Sequence, residues 1–228
     1  MSQKKQLYYL MQISGGTFPS GAFSQSWGLE TYVAQGKISN EAGFRDFMET
    51  YMESMLAGCE GPVLCEAYRL SQQWEEKKID ELEELSCAVR LTKESRESSL
   101  KMGKAFLRIM AEVMNDDKIK ELKSRYGAVG MSYPVAYGAV CGRSDIALRD
   151  SVDAFVFSSV NALVQSAVKL VPLGNTQAQK ILMNLYPMME KTADEIMEIP
   201  VEAISNFCPG IDIAGIMHEY LPARLYMS

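Results

Sequence analysis

Ser144-Asp-Ile-Ala-Leu-Arg-Asp-Ser-Val-Asp-Ala-Phe-Val-Phe-Ser-Ser-Val-Asn-Ala-Leu-Val-Gln-Ser-Ala-Val-Lys-Leu-Val171 is the longest apolar stretch of this 228-residue chain. Leu148, Val152, Phe155, Val156, Ser159, Val160, Leu163, Ala167 and Leu170 recur at i, i+3, i+4 steps, the period of one helix face. Charges thin out after Asp153, so the remaining faces are apolar or small. A helix apolar nearly all round belongs at the centre of a bundle or at a subunit contact. Pro172 and Gly174 end it. Thr176 and Gln179 then have the spacing of a capping box for a further helix carrying Ala178, Ile181, Leu182 and Leu185.

The same period runs upstream. Ser39-Asn40 can cap a helix with Phe44, Phe47, Met48, Tyr51 and Met55 on one face. Gly58 and Gly61-Pro62 interrupt the chain, and proline suits a first helical turn, so a new helix is expected to start there. The charged run Glu75–Glu84 reads as a loop and the exposed start of a helix whose buried side is Leu82, Leu85 and Val89. Leu100, Gly103, Phe106, Leu107, Met110 and Met114 form another stripe, followed by a turn or cap signal at Asn115-Asp116-Asp117. Alternating strand-like runs and two-residue hairpin signals are scarce. The expected fold is all-α: a single-domain helical bundle of roughly eight to ten helices over 1–228.

Composition agrees with an ordinary globular chain: 47% hydrophobic, 23% charged, net charge −6. The negative balance argues against nucleic acid as a partner, because phosphate binding wants a basic face. Five scattered cysteines without a C-x-x-C pair read as reduced thiols, and the first residues lack a signal-peptide core. No run approaches the roughly 20 apolar residues of a membrane span. The expected compartment is therefore the cytoplasm, with no membrane partner.

The chain carries one histidine, His218. A Ser-His-Asp or Cys-His arrangement would need it as base, and a multi-histidine metal site within one chain is impossible. Its neighbour Glu219 points about 100° away on a helix, so the two cannot easily chelate one ion. Gly16 and Gly21 have the separation of a phosphate loop, but Ala22 stands where the lysine should be. The reading is of a non-enzyme without cofactor or metal. One metal alternative stays open: a stand-alone metal-binding chaperone using His218 across a dimer.

Three blocks carry a resemblance. They are Leu10-Met-Gln-Ile-Ser-Gly-Gly-Thr-Phe-Pro-Ser-Gly-Ala-Phe-Ser-Gln-Ser-Trp-Gly-Leu-Glu30, Ala167-Val-Lys-Leu-Val-Pro-Leu-Gly-Asn-Thr-Gln-Ala-Gln179, and the tail from Met217 through His218-Glu219 to Arg224-Leu-Tyr-Met-Ser228. In content and order they resemble the urease accessory protein UreF family. The resemblance implies an all-helical, non-enzymatic, dimerising accessory protein. It implies binding to a second accessory protein, UreD or UreH, and recruitment of the GTPase UreG to apo-urease for nickel insertion. It also implies partner-binding roles for Glu30, Glu60, Lys169, His218, Glu219, Arg224 and Tyr226, with a docking tail at about 216–228. Read from the residues alone, Glu30 is a solvated helix residue, Glu60 suits the start of a helix, and Lys169 offsets a helix C-terminal dipole by roughly 0.3–1 kcal/mol. The tail's Tyr220, Leu221, Leu225, Tyr226 and Met227 are too apolar to stay in water: either they pack on the chain's own core or they order against a partner, and the resemblance favours a partner, the UreD/UreH protein. Many family members carry a histidine before the segment matching Tyr133–Gly138. Met131 and Ser132 stand there in this chain, so no role of that histidine transfers.

Overall fold

A computed structural model describes residues 2–227. Among them there is no strand, and the helices are α1 (Gln3–Ile13), α2 (Leu29–Ala34), α3 (Glu41–Thr50), α4 (Gly61–Gln73), α5 (Glu76–Ala88), α6 (Lys93–Val113), α7 (Asp117–Tyr126), α8 (Tyr133–Gly142), α9 (Leu148–Leu170), α10 (Asn175–Asn184), α11 (Tyr186–Glu198) and α12 (Pro209–His218). The all-α single-domain expectation holds. The helix number exceeds eight to ten because two continuous runs are divided. A π-helical stretch, Tyr51–Glu60, joins α3 to α4, and Leu185 alone separates α10 from α11.

The π stretch replaces the expected break at Gly58 and Gly61-Pro62. Proline has no N–H, so Pro62 cannot donate to the Gly58 carbonyl four residues before it. That carbonyl accepts instead from the backbone N–H of Ser205, at 2.8 Å. A wider turn keeps the helix running past the proline and ties it to the loop before α12.

The core centres on α8. All ten of its residues are buried, and it packs most closely on α4. Gly138 makes that approach possible, since a Cβ there would collide with the Leu64 carbonyl oxygen. Around it Phe106 meets Tyr137 at 5.5 Å and Tyr133 at 5.6 Å, and Phe155 of α9 meets Tyr137 at 5.3 Å. Stacked, tilted and edge-on ring pairs at such distances add to area burial by about 0.5–1.5 kcal/mol each.

Local signals were mixed. Asn40 caps α3 by accepting from Gly43 N–H at 3.1 Å, and Asp116 caps α7. The capping box at Thr176 does not form, because α10 starts one residue earlier, behind Gly174, leaving Thr176 inside the helix. On α5 the buried side is Ile79, Leu82, Glu83 and Ser86, while Leu85 is exposed. Glu83 can be buried because its carboxylate accepts from the N–H and hydroxyl of Ser132 at the start of α8. Against expectation, α9 is long and apolar enough to cross a membrane by length and composition alone. More than half of its most apolar window is buried, as in a central helix.

Candidate functional site

Glu30 lies in the first turn of α2, where the helix dipole favours a carboxylate. The chain enters α2 through two left-handed residues, Trp27 at φ 50° and Gly28 at φ 86°. Glycine is required at 28 on a second count, since a Cβ there would sit 3.1 Å from that of Ala214 on α12. The close approach lets Thr31 donate its hydroxyl to the Ala214 carbonyl at 2.8 Å. Helices α2 and α12 are thereby locked side by side.

Their contact brings the last residue of α12, His218, onto Glu30. Nε2 of His218 lies 2.7 Å from Oε2 of Glu30, and both side chains are buried. The same carboxylate accepts from the backbone N–H of Leu225 at 2.7 Å and of Tyr226 at 3.2 Å. A further backbone bond, Met227 N–H to the Ser24 carbonyl at 2.7 Å, lays the tail on the glycine-rich N-terminal turn. Tyr226 packs inward at 6% exposure, with Nζ of Lys169 standing 5.9 Å from its ring centroid. Lys169, Glu219 and Arg224 are exposed. Of the apolar tail residues, Tyr220, Leu225 and Met227 face solvent, whereas Tyr226 packs into this chain's own core. Ser228, the tail's last residue, lies outside the described residues.

Glu60 stands apart from this cluster. It closes the π stretch and pairs with Arg90, Nη2 to Oε1 at 2.9 Å, with both side chains almost fully buried. It also lines a cavity of about 40 Å³ beneath the glycine-rich turn, where Ser14, Ser20 and Ser159 face Phe18, Trp27 and Met102. The structure thus joins Glu30, His218, Tyr226 and Lys169, leaves Glu219 and Arg224 on the adjoining surface, and places Glu60 in the interior. Sequence reasoning missed Arg90 and Thr31. The one available signal was a lone arginine between Val89 and Leu91.

For chemistry the arrangement offers little. Burial, foremost, pushes the thiols of Cys59 and Cys65 up to about 11 and those of Cys87 and Cys141 up to about 12, far from nucleophile range. Among the described residues no three His, Cys, Asp or Glu side chains gather to hold a metal ion. His218 is 1% exposed and already engaged by Glu30, so it cannot reach a second chain without leaving its place.

The UreF family profile matches residues 38–186, more than half of the chain. The chain belongs to the UreF family. Relatives named urease accessory protein UreF align over most of the chain. That of Sporosarcina pasteurii is 32% identical over 209 residues, covering 88% of this chain and all of that protein. That of Bacillus sp. (strain TB-90) is 30% identical, covering 98% of this chain and 99% of that protein. The Geobacillus kaustophilus (strain HTA426) protein is 31% identical with the same coverage. Membership makes the chain an accessory protein of urease.

Proposed function

We propose that this UreF-family chain is a non-enzymatic scaffold and regulator of urease maturation. It binds the UreD/UreH accessory protein, and the pair recruits the GTPase UreG to apo-urease for nickel insertion. The observation that carries the reading is the latched C-terminal segment. Six large apolar side chains, Ile213, Ile216, Met217, Tyr220, Leu225 and Met227, stand exposed on α12 and the tail, and Glu30 and Ser24 tie down the backbone of residues 225–227. Apolar groups held rigid at a surface suit a protein partner.

Within this reading Lys169, Glu219 and Arg224 touch the partner directly. Glu30, Glu60, His218 and Tyr226 act from beneath by fixing the surface. The scaffold works as a homodimer in the cytoplasm, without nucleic acid or membrane.

A pull-down of UreD/UreH from the same source tests the proposal. Full-length protein should capture it, and deletion of Tyr220–Ser228 should abolish capture; equal capture by the deletion variant overturns the role of the tail. Lys169→Ala should weaken UreG recruitment or nickel activation of urease at unchanged thermal stability. The metallochaperone reading predicts tight nickel binding in equilibrium dialysis, lost in His218→Ala.

A further inference from the structure

Helices α6 and α7 pack on one another and are joined by the short connection 114–116. The hairpin they form, 93–126, carries nine Lys and Arg against six Asp and Glu, whereas in the whole chain 29 acids outnumber 23 bases. A cleft of about 140 Å³ opens between the two helices, lined by Lys104, Leu107, Arg108, Lys123, Tyr126 and Gly127. No acidic residue lines it. Leu107 is buried and gives the cleft an apolar floor, and Tyr126 is held in place by donating its hydroxyl to Asp80. The three cations are poorly compensated from within. Along the first half of α6 charges alternate in sign four residues apart, as where Glu97 pairs with Lys93 and Lys101. Lys104 and Arg108 break that order, and like charges at this spacing repel. Lys123 adds a third cation from α7. It reaches Glu112 at 2.7 Å, but the Glu112 side chain is 72% exposed, and an ion pair in water is easily exchanged. Lys104 donates one proton to the Ala128 carbonyl at 2.9 Å and keeps two more. Arg108 is exposed and has no hydrogen-bond or ion-pair partner among the described residues.

We propose that the cleft between α6 and α7 is a docking site for an acidic segment of a partner protein, whose carboxylates meet Lys104, Arg108 and Lys123 while an apolar side chain between them rests on Leu107 and Tyr126. Carboxylates entering the cleft relieve the repulsion among its cations, and the Arg108 guanidinium can hold one of them through two parallel hydrogen bonds. A bare inorganic anion would use the charges and leave the apolar floor and the ring unused. An acidic peptide with an apolar side chain uses both. Over the rest of the chain the excess of acid repels such a segment, so the hairpin is also where electrostatic steering would bring it. None of the lining residues belongs to the Glu30 cluster, and the site stands or falls separately from the scaffold role.

The test is fluorescence anisotropy of the full-length protein with a dye-labelled peptide that places one leucine between pairs of glutamates. Wild type should bind it, less tightly as salt is raised. Peptides with glutamine for glutamate, or serine for leucine, should bind about tenfold more weakly or worse. Lys104→Glu and Arg108→Glu should each weaken binding of the parent peptide by a similar factor. Lys101→Glu, on α6 but outside the cleft, should stay within about twofold of wild type because solvent screens a charge that makes no contact. Inorganic phosphate and hexanoate serve as competitors and should displace the peptide only at far higher concentration. Absence of binding by wild type overturns the proposal, as does undiminished binding by Lys104→Glu and Arg108→Glu. An equal loss in Lys101→Glu would reduce the effect to the diffuse field of the hairpin. Equal affinity for the serine peptide, or displacement by phosphate or hexanoate at the concentration of the peptide, would assign the cleft to small anions and overturn the protein partner. Circular dichroism checks folding, and Arg108→Ala carries the test if the charge reversals disturb the hairpin.

Discussion

Arg90 reaches Glu60 across thirty residues, Nη2 to Oε1 at 2.9 Å, and the two side chains neutralise one another inside the bundle. Among the described residues Nε of Arg90 has no hydrogen-bond partner. A buried pair of this kind adds little net stability, because desolvation consumes much of the Coulomb gain.

Removing one partner should therefore be worse than removing both. Arg90→Met or Glu60→Leu alone should cost about 3–5 kcal/mol, and the double variant appreciably less than either. Urea midpoints of the three variants measure this; a double variant as unstable as the sum of the singles would mean that the pair contributes nothing specific.

Alkaline pH should destabilise the fold through its thiols. Their folded values of about 11 to 12 lie above the ordinary 9.0. Below pH 9 both states keep the protons and nothing changes. Between 9 and 12 the unfolded chain releases them first, so stability falls as pH rises. At pH 8 the Cys87 thiol is therefore far less ionised than an ordinary thiol. Iodoacetamide should accordingly label native protein far more slowly than urea-unfolded protein, and rapid labelling of Cys87 at pH 8 would contradict this placement.

Gly138→Ala adds one methyl where the backbone of α4 lies against α8. Backbone cannot rotate aside as a side chain can, so the helices must part. A loss of about 1–3 kcal/mol is expected in thermal or urea unfolding. A neutral substitution would show that the two helices slide without cost.

Tyr226 separates packing from hydrogen bonding. Its ring is buried, but its hydroxyl has no hydrogen-bond partner among the described residues. Tyr226→Phe should be neutral or slightly stabilising, whereas Tyr226→Ala should cost about 3–5 kcal/mol as a large-to-small core change. Calorimetry on both variants checks the contrast.

How much of this was legible depends on how local the cause was. Helix α9 and the caps at Asn40 and Asp116 follow from neighbours in sequence, and periodicity finds them. The π stretch was misread as a break because Gly58, Gly61 and Pro62 are the residues that end helices. What keeps the helix going is Ser205, far along the chain, which satisfies the carbonyl that Pro62 cannot. Glu83 was passed over for the same reason, since its burial depends on Ser132. At the site, Glu30, His218 and Tyr226 were all singled out, but as surface groups. Their meeting depends on Gly28 admitting α12 against α2, a tertiary contact with no local period to betray it.

The Glu30–His218 contact joins residues 188 positions apart, and the tail bonds to Glu30 span slightly more. During synthesis the chain emerges from its N-terminus, so α2 has long been available when residue 226 is added. The latch on Glu30 can close only after residue 226 has been added. The position of one carboxylate thus makes docking of the tail a late event of synthesis, whatever the order in which the central helices assemble.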